Sequence, residues 1–362
     1  AGSPKAHAFA LHDIELMQLI QKYSSSRGVE LWNQIAHSTA STISGIVQHE
    51  LPDVALPIVS NLISTRELSG IYLNELLQSG AQIIGGSADL GGSTNVKVAA
   101  AREISSNDFS GNYINYGVRE HAMGAIMNGL TLAGLRVCGS TFLVFSDYMR
   151  PSMRLAALSG LPVIYLLTHD SIAVGEDGPT HQPVEQLPGL RMVPNLNVFR
   201  PCNANEVVWA WQRALREEHK PSCIVLSRQR FVQIPTPFGD EIRRGAYVIR
   251  PAVGGRVRVT LLATGAEVPL AVRVAEKLGR NVQVVSVPSV SDFRAQPMEY
   301  KSKILSGFVV AIEAAATAPW FEFADAVIGV DKFGTSGPGD EVYAQAGFNV
   351  DAIVRDIKNQ LK

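Results

Sequence analysis

Two unbroken apolar runs constrain the fold of this chain more than any other feature of its sequence. Residues 162–167 read Pro-Val-Ile-Tyr-Leu-Leu, and residues 223–226 read Cys-Ile-Val-Leu. A strand with one face in water alternates apolar and polar residues, so runs without that alternation fit strands covered on both faces. Amphipathic stretches, such as residues 119–132, fall between the apolar runs. The sequence therefore predicts parallel strands between layers of helices.

The same pattern recurs beyond a loop at residues 233–244, which is rich in proline and charge. The predicted fold class is α/β, with two consecutive three-layer domains whose sheets are mostly parallel. The strands are predicted at 81–86, 136–139, 162–167, 223–226, 257–263, 282–287, 308–312 and 327–330, and the clearest helices at 119–132, 141–158 and 268–278. The expected organisation is a helical linker or tail at 1–57 with helices at 11–22 and 31–49, an α/β domain at 58–232, a linker at 233–244, and a C-terminal α/β domain at 245–362.

Composition excludes several classes of protein. Charged residues make up 18% of the 362 residues, against about 25% in an average soluble chain, which indicates large cores and a buried interface. The net charge of −1 carries no basic excess, so we expect no nucleic-acid partner. Three acidic residues interrupt the apolar stretch 307–330, so we expect no membrane span. Cys138, Cys202 and Cys223 are far apart, which suits a reducing cytoplasm and gives no metal-ligand spacing.

Loops that follow strands carry the ligand sites of open α/β sheets. Residues 85–93 read Gly-Gly-Ser-Ala-Asp-Leu-Gly-Gly-Ser, a turn that permits close backbone approach to a phosphate. A flexible surface loop is an equally good interpretation, because the run matches neither the dinucleotide fingerprint nor the P-loop.

A carboxylate and three aromatic residues suggest a second kind of site. Glu120 lies at the start of a predicted apolar helix, where an ordinary terminal acid is the simplest interpretation. Phe142, Phe145 and Tyr148 recur every three residues and are predicted to share one side of a helix. Such a stripe is usually core, and a platform for a planar heterocycle is the functional alternative.

The loop of residues 168–183 is the most informative segment. Two of the eight histidines, His169 and His181, lie here with three acids, directly after a buried strand. Their spacing of twelve fits no zinc pattern, so polar recognition with proton transfer is the better interpretation. Arg228 also follows a strand and can clamp an anion.

Taken together, these segments resemble a known family. The run 85–228 closely resembles the pyrimidine-binding domain of transketolase, a thiamine-diphosphate enzyme of sugar-phosphate metabolism. The motifs that carry the resemblance are Gly-Gly-Ser-Ala-Asp-Leu, Tyr-Gly-Val-Arg-Glu, Ser-Thr-Phe-Leu-Val-Phe, Thr-His-Asp-Ser-Ile, Gly-Glu-Asp-Gly-Pro-Thr-His-Gln-Pro-Val-Glu-Gln and Leu-Ser-Arg-Gln, in that order. Residues 245–362 are similar to the family's C-terminal domain, with Ala-Thr-Gly-Ala-Glu-Val at 263–268 as the landmark. The resemblance covers residues 58–362, and the segment before it is similar in position to the family's interdomain linker.

The resemblance implies a role for the carboxylate and the aromatic residues. Glu120 matches the catalytic glutamate that bonds N1′ of the cofactor's aminopyrimidine, and Phe142, Phe145 and Tyr148 match the positions that line its pocket. The cofactor is then thiamine diphosphate, of which this chain contacts the pyrimidine half. The family's Gly-Asp-Gly motif for magnesium and diphosphate does not occur in this sequence. We therefore expect magnesium on a separate domain and no metal site on this chain.

The resemblance also implies a substrate channel for sugar phosphates. Arg66, Ser93, His169 and Arg228 match positions that hold the sugar phosphate, and two guanidiniums suit a dianion. Asp177 matches a residue that contacts a donor hydroxyl. His181 matches a substrate-contacting histidine that assists proton movement, and it is the second catalytic residue. Thr94 stands where the family more often has Asn, so the resemblance does not fix the geometry at the phosphate end of the site.

The function implied is transfer of a two-carbon ketol unit between sugar phosphates. The site is complete only with an N-terminal diphosphate-binding domain or separate subunit, and we expect the isolated chain to be inactive. The expected assembly is a homodimer or heterotetramer of a split or truncated cytoplasmic enzyme of the pentose phosphate pathway. The alternatives are a non-catalytic or regulatory subunit, a dehydrogenase E1 β-type subunit, or a deoxyxylulose phosphate synthase.

Overall fold

The computed structural model describes residues 60–234 and 239–362, together with Val54 and Leu56. The helices predicted at 11–22 and 31–49 lie outside the described residues. All described residues belong to one unit, Leu51–Lys362.

A parallel sheet of six strands forms the first half of the described chain. The elements of this half, in chain order, are β1 (Leu62–Ile63), α1 (Thr65–Gln78), β2 (Gly85–Ser87), β3 (Tyr113–Asn115), α2 (Glu120–Leu132), β4 (Cys138–Phe142), α3 (Ser146–Ser159), β5 (Ile164–Thr168), α4 (Gln186–Arg191), β6 (Asn197–Phe199), α5 (Ala204–Leu215), β7 (Ser222–Leu226) and β8 (Phe231–Val232). The sheet order is β3-β2-β4-β5-β7-β6, and all of its pairs are parallel. The short strands β1 and β8 pair with each other in antiparallel fashion.

Successive residues of the central strand enter opposite cores, which explains the unbroken apolar run. In β5, Ile164 and Leu166 pack in a cluster with α1 and α5, whereas Tyr165 and Leu167 pack in a cluster with α2 and α3. Every residue of β4, β5 and β7 is buried. The predicted three-layer arrangement is confirmed here.

A second sheet, of five strands, forms the rest of the described chain. Its elements are β9 (Tyr247–Arg250), β10 (Val259–Ala263), α6 (Glu267–Leu278), β11 (Val282–Ser286), α7 (Val290–Arg294), α8 (Met298–Ile304), β12 (Phe308–Ile312), β13 (Ala326–Ile328), α9 (Gly339–Gln345) and α10 (Val350–Gln360). The order is β13-β12-β10-β11-β9, and only β9 runs antiparallel to its neighbour. The α/β class with mostly parallel sheets is therefore confirmed.

One prediction of local structure is wrong. The sequence predicted a strand ending at residue 139 and a helix over 141–158, but β4 continues to Phe142 and α3 begins at Ser146, after a 3₁₀ turn at Leu143–Phe145. Thr141 and Phe142 pair with Leu167 and Thr168 of β5, and this pairing outweighs the helical spacing of the aromatic residues. Phe142, Phe145 and Tyr148 therefore do not share one helix face.

Within residues 60–234 and 239–362, no helix is both long enough and apolar enough to cross a bilayer.

Candidate functional site

The carboxyl ends of four neighbouring parallel strands, β2, β4, β5 and β7, lie on one edge of the first sheet. In an open α/β sheet this edge is where ligands bind. The segments that follow these strands contain most of the residues singled out by the sequence, and Arg66 and Glu120 join them from the first turns of α1 and α2.

Two stacked phenylalanines form the apolar part of this edge. The rings of Phe142 and Phe145 have centroids 5.6 Å apart and planes 14° apart. Phe142 is buried at the end of β4, whereas Phe145 is half-buried in the turn that follows. The ring of Tyr148 lies 6.1 Å from that of Phe145, and its side chain is 66% exposed. The partly open Phe145 can therefore present a ring face to a planar ligand.

Glu120 places a shielded carboxylate beside this pair. It is the first residue of α2 and only 8% exposed, and the helix N-terminus favours its negative charge. The hydroxyl of Thr141, the residue before Phe142, donates to Glu120 Oε1 at 3.4 Å. Among the described residues, Oε2 has no hydrogen-bond partner. A buried carboxylate with a free oxygen next to an aromatic platform fits an aminopyrimidine, whose ring nitrogen needs a polar partner and whose faces need apolar contact.

His169 occupies the centre of the edge in an unusual backbone conformation. Its φ of +61° lies in the left-handed region, which non-glycine residues seldom adopt, and its ring stacks on Phe142 with centroids 3.6 Å apart. The Thr168 hydroxyl lies 2.8 Å from His169 Nδ1. Burial lowers the pKa of His169 to about 3, assisted by the charges of Arg66 and Arg228 and by His181. The imidazole is therefore neutral near pH 7, with one nitrogen that can donate and one that can accept.

His181 reaches the same aromatic pair, whereas Asp177 stands apart. The ring of His181 lies edge-on to Phe145, with centroids 5.3 Å apart, and its Nδ1 is 2.9 Å from the Thr180 hydroxyl. Asp177 ends the 3₁₀ helix Ile172–Asp177 and is exposed. Within the part of the chain that the structure describes, its carboxylate makes no hydrogen bond or ion pair.

Arg66 and Arg228 form the cationic end of the edge. Arg66 donates to the carbonyl of Ser93, and Arg228 Nη1 donates to the carbonyl of Val174 at 3.4 Å. Burial and the charge of Arg228 both lower the pKa of Arg66, so the two guanidiniums repel each other. Arg66 Nε is buried and has no hydrogen-bond partner among the described residues. An anion between the two side chains would relieve the repulsion and satisfy that donor.

Two neighbouring residues of the glycine-rich loop differ in their exposure to solvent. The Ser93 side chain is exposed, and its backbone carbonyl is the group bound by Arg66. Thr94 is buried, and its hydroxyl contacts Ser140 Oγ at 2.8 Å and the Leu90 carbonyl at 2.9 Å. The residue that departs from the family pattern thus points into the protein, where it holds the loop against β4.

A buried group of charged residues lies behind this edge, and the sequence pattern does not predict it. Asp170, next to His169, pairs with Arg200, which also contacts Glu267 of the second half of the chain. Glu267 lies in the Ala-Thr-Gly-Ala-Glu-Val landmark, but its burial depends on packing between the two sheets. No local pattern of residues signals that contact.

Both halves of the described chain match known families. Residues 61–233 match the family described as "Transketolase, pyrimidine binding domain", and residues 245–349 match "Transketolase-like TK C-terminal domain". A curated transketolase of Geobacillus stearothermophilus is 43% identical over 348 residues, which cover 90% of this chain and 52% of that protein. The chain spans about half the length of the curated relatives it matches.

Solved structures agree with these matches. The transketolase of Campylobacter jejuni superimposes with a TM-score of 0.82 at 35% identity, covering 92% of this chain and 54% of that one. A structure described as "Split gene transketolase, inactive beta4 tetramer" superimposes with a TM-score of 0.66 at 24% identity, covering 82% of this chain and 98% of that one, a likeness of fold alone. With its two parts matched in order along most of its length, this chain belongs to the transketolase family.

Proposed function

We propose that this chain is the pyrimidine-binding and C-terminal part of a transketolase, which transfers a two-carbon ketol unit between sugar phosphates. The observation that carries the proposal is the position of the Arg66–Arg228 pair, which shares one edge with the neutral His169 and with the Glu120–Phe145 pocket. An anion site next to an aminopyrimidine site is what ketol transfer between phosphorylated sugars needs.

Thiamine diphosphate, when bound, supplies the carbon centre that takes up and releases the ketol unit. In the proposal, Glu120 holds a proton at N1′ of the aminopyrimidine, and its low exposure keeps water from competing for that bond. Phe145 stacks on the pyrimidine ring, with Phe142 and Tyr148 beside it. Magnesium and the diphosphate are assigned to a separate domain or subunit.

The remaining residues bind and orient the sugar phosphate. Arg66 and Arg228 clamp the phosphate, and Ser93 lies at the same end. The neutral His169 donates to a substrate oxygen without adding a third positive charge. His181 moves a proton at a substrate hydroxyl, and Asp177 bonds a donor hydroxyl. Asp177 is exposed in this structure. In the proposal, its side chain turns into the site when the substrate binds.

The proposed partners are a diphosphate-binding domain or subunit and a second copy of the chain, in a dimer or heterotetramer. The solved split-gene structure is described as inactive, which agrees with the proposal that the isolated chain has no activity. Large apolar side chains on α2 and α3 are about half exposed or more, which supports a covered face: Ile126, Leu132, Leu155 and Leu158. We expect this enzyme to be cytoplasmic and to belong to the pentose phosphate pathway.

Two alternatives have weaker support. A dehydrogenase E1 β-type subunit acts on short oxo acids, which have no phosphate for the Arg66–Arg228 pair to bind. A regulatory subunit would need a helix-terminal acid at Glu120 at most, and would not need that carboxylate to be shielded beside an aromatic pair.

The experiment is an Arg228→Ala substitution assayed with a diphosphate-binding domain supplied. Loss of a charge-assisted contact to phosphate, about 1.5 to 3 kcal/mol, should raise the KM for a ketose phosphate roughly 10- to 150-fold and leave kcat within about threefold. Arg216→Ala is the control, since Arg216 is exposed at the end of α5, away from the site. Equal KM values for Arg228→Ala and wild type would refute a phosphate clamp.

A further inference from the structure

The loop of residues 169–183, called the substrate loop below, begins inside a buried charge cluster. Asp170 accepts from Arg200 Nε at 3.0 Å and lies 2.8 Å from Nη2. Arg200 also contacts Glu267, and its Nη1 donates to Thr264 Oγ1 at 2.8 Å. Asp170, Arg200 and Glu267 are each at most 1% exposed. Breaking one of these pairs would leave an uncompensated charge, so the start of the loop is held firmly to the second half of the chain.

Tyr343 of α9 extends this cluster to the next residue of the loop. Its hydroxyl lies 2.5 Å from Glu267 Oε1 and 3.2 Å from Ser171 Oγ. The one tyrosine proton can therefore be donated to the Glu267 carboxylate or to the Ser171 hydroxyl oxygen. Ser171 Oγ in turn accepts from the Ala173 amide at 3.4 Å, at the start of the 3₁₀ helix.

The chain just before Tyr343 holds the middle and the end of the loop. The Ser336 hydroxyl donates to the carbonyl of Glu176 at 2.7 Å. The side-chain amide of Gln182 donates to the carbonyls of Gly175 and Thr335, both at 2.9 Å. The second half of the chain thus fixes the substrate loop at its start, middle and end.

The loop backbone between these hydrogen bonds also packs closely against the start of α9. A Cβ on Gly339 would lie 2.7 Å from the Ala173 carbonyl, and Gly175, at φ +78°, lies against Gly337 and Gly339. The 3₁₀ helix and the start of α9 therefore fit together at backbone distance, a fit that a flexible surface loop would not require.

We propose that Tyr343 is a positioning residue for the substrate loop: through Ser171 and Glu267 it sets the conformation in which His169, Asp177 and His181 meet the substrate. The inference rests on the proposed function only in taking the bound molecule to be a sugar phosphate. Tyr343 touches neither the proposed substrate residues nor the aromatic pair, so its effect passes through the loop backbone. The C-terminal half then contributes to substrate binding without a residue in the site.

The test compares Tyr343→Phe with Tyr300→Phe, which removes the matching hydroxyl from the same half of the chain. The Tyr300 hydroxyl donates to the Ala246 carbonyl at 2.7 Å and not to the loop. The Tyr343 ring packs 5.1 Å from Phe348, a contact that the Phe variant keeps. In the isolated chain, amide hydrogen exchange of residues 171–178 should be about fivefold faster in Tyr343→Phe and unchanged in Tyr300→Phe. Unchanged exchange in Tyr343→Phe would overturn the proposal.

A double-mutant cycle separates positioning from a general loss of stability. Ser171→Ala removes the same hydrogen bond from the other side, together with the acceptor of the Ala173 amide and of Gln229 Nε2, so the two substitutions share one contact and the double variant should exchange more slowly than the two separate effects combined would give. Additive effects would mean that the two hydroxyls act independently and would contradict the proposal.

The third measurement uses the enzyme completed with a diphosphate-binding domain. Tyr343→Phe should raise the KM for a ketose phosphate about fivefold, while kcat and the half-saturating thiamine diphosphate concentration stay within about twofold, since Glu120 and Phe145 lie on other elements. A fall in kcat with unchanged KM would contradict positioning of the substrate. If exchange rises but no ketol transfer occurs in wild type, the proposed function fails while the positioning role stands.

Discussion

His169 is the residue whose chemistry depends most on its surroundings. Burial against Phe142, and then the charges of Arg66 and Arg228, lower its pKa to about 3, so it stays neutral beside two guanidiniums. A protonated imidazole would add charge where Arg66 and Arg228 already repel each other. In the proposed function, such a neutral donor bonds a hydroxyl or carbonyl of the sugar without competing for its phosphate.

This lowered pKa predicts how stability depends on pH. Between the unfolded pKa of about 6.5 and the folded value of about 3, the unfolded state binds a proton that the folded state excludes. The free energy of unfolding therefore falls as the pH drops below 6.5, with about 2 kcal/mol lost at pH 5 from this residue. His169→Asn, which tolerates the left-handed backbone, should lose less stability than wild type between pH 7 and pH 5 in urea titrations.

The matched control for this prediction is His219→Asn. The His219 side chain is 85% exposed, so its replacement should leave the pH dependence as in wild type. Carboxyls with raised pKa values, such as Glu206, increase the free energy of unfolding as the pH falls. They are present in the wild type and in both variants, so they do not affect the comparison. Parallel curves for wild type and His169→Asn would show that His169 is not held neutral.

For single residues, the sequence predicts well which residue types form the site, but it predicts their protonation states poorly. Histidines and acids crowded after a buried strand indicate a polar site, and the structure brings His169 and His181 onto one aromatic pair. The pKa of His169 is lowered first by burial and then by the charges of Arg66 and Arg228, which are distant in the chain, so no local pattern predicts the neutral state. The roles of the site residues stay predictions.

Among the elements, the contact between α2 and α3 fixes where Glu120 and Tyr148 lie. Gly124 of α2 faces α3 so closely that a Cβ would lie 2.8 Å from Ser152 Cβ and 2.9 Å from Met149 Cγ. The two helices approach because one of them lacks a side chain at the crossing.

Two glycine substitutions in α2 test this contact. Gly124→Ala and Gly129→Ala both gain helix propensity, about 1 kcal/mol, but nothing lies within 4 Å of a Cβ on Gly129. Crowding at Gly124 should cost about 1 to 3 kcal/mol. In urea unfolding, Gly129→Ala should therefore be as stable as wild type or more so, and Gly124→Ala should be less stable than Gly129→Ala. Equal stability of the two variants would refute the close contact.

The sequence predicts the centres of the elements better than their ends. The runs in β5 and β7 were found because burial on both faces removes all polar alternation. The end of β4 was placed too early, since its pairing with β5 involves residues distant in the chain. Strand β9 was missed because its four residues, only the first fully buried, give too short a pattern.

At the scale of the whole molecule, a buried charge cluster joins the two sheets. The chain spans about half the length of its curated relatives. Exposed apolar residues on α2 and α3 form the surface that, in the proposed function, another chain covers. We expect the isolated chain to self-associate at micromolar concentration in sedimentation equilibrium. Leu158→Glu, at a side chain that is 74% exposed, should weaken that association without lowering stability. A 39 kDa monomer in the wild type would refute self-association.

In the proposed function, this chain supplies the pyrimidine and sugar-phosphate halves of a site that another domain completes. The most direct measurement mixes the chain with the separately expressed diphosphate-binding half of the Geobacillus stearothermophilus transketolase, after that half has been shown to work with its own second half. We predict no ketol transfer by this chain alone and magnesium-dependent transfer by the mixture. Glu120→Gln should lower kcat in the mixture by more than about tenfold, a loss above 1.4 kcal/mol. Transfer by the isolated chain, no transfer by the mixture, or near wild-type kcat in Glu120→Gln would contradict the claim.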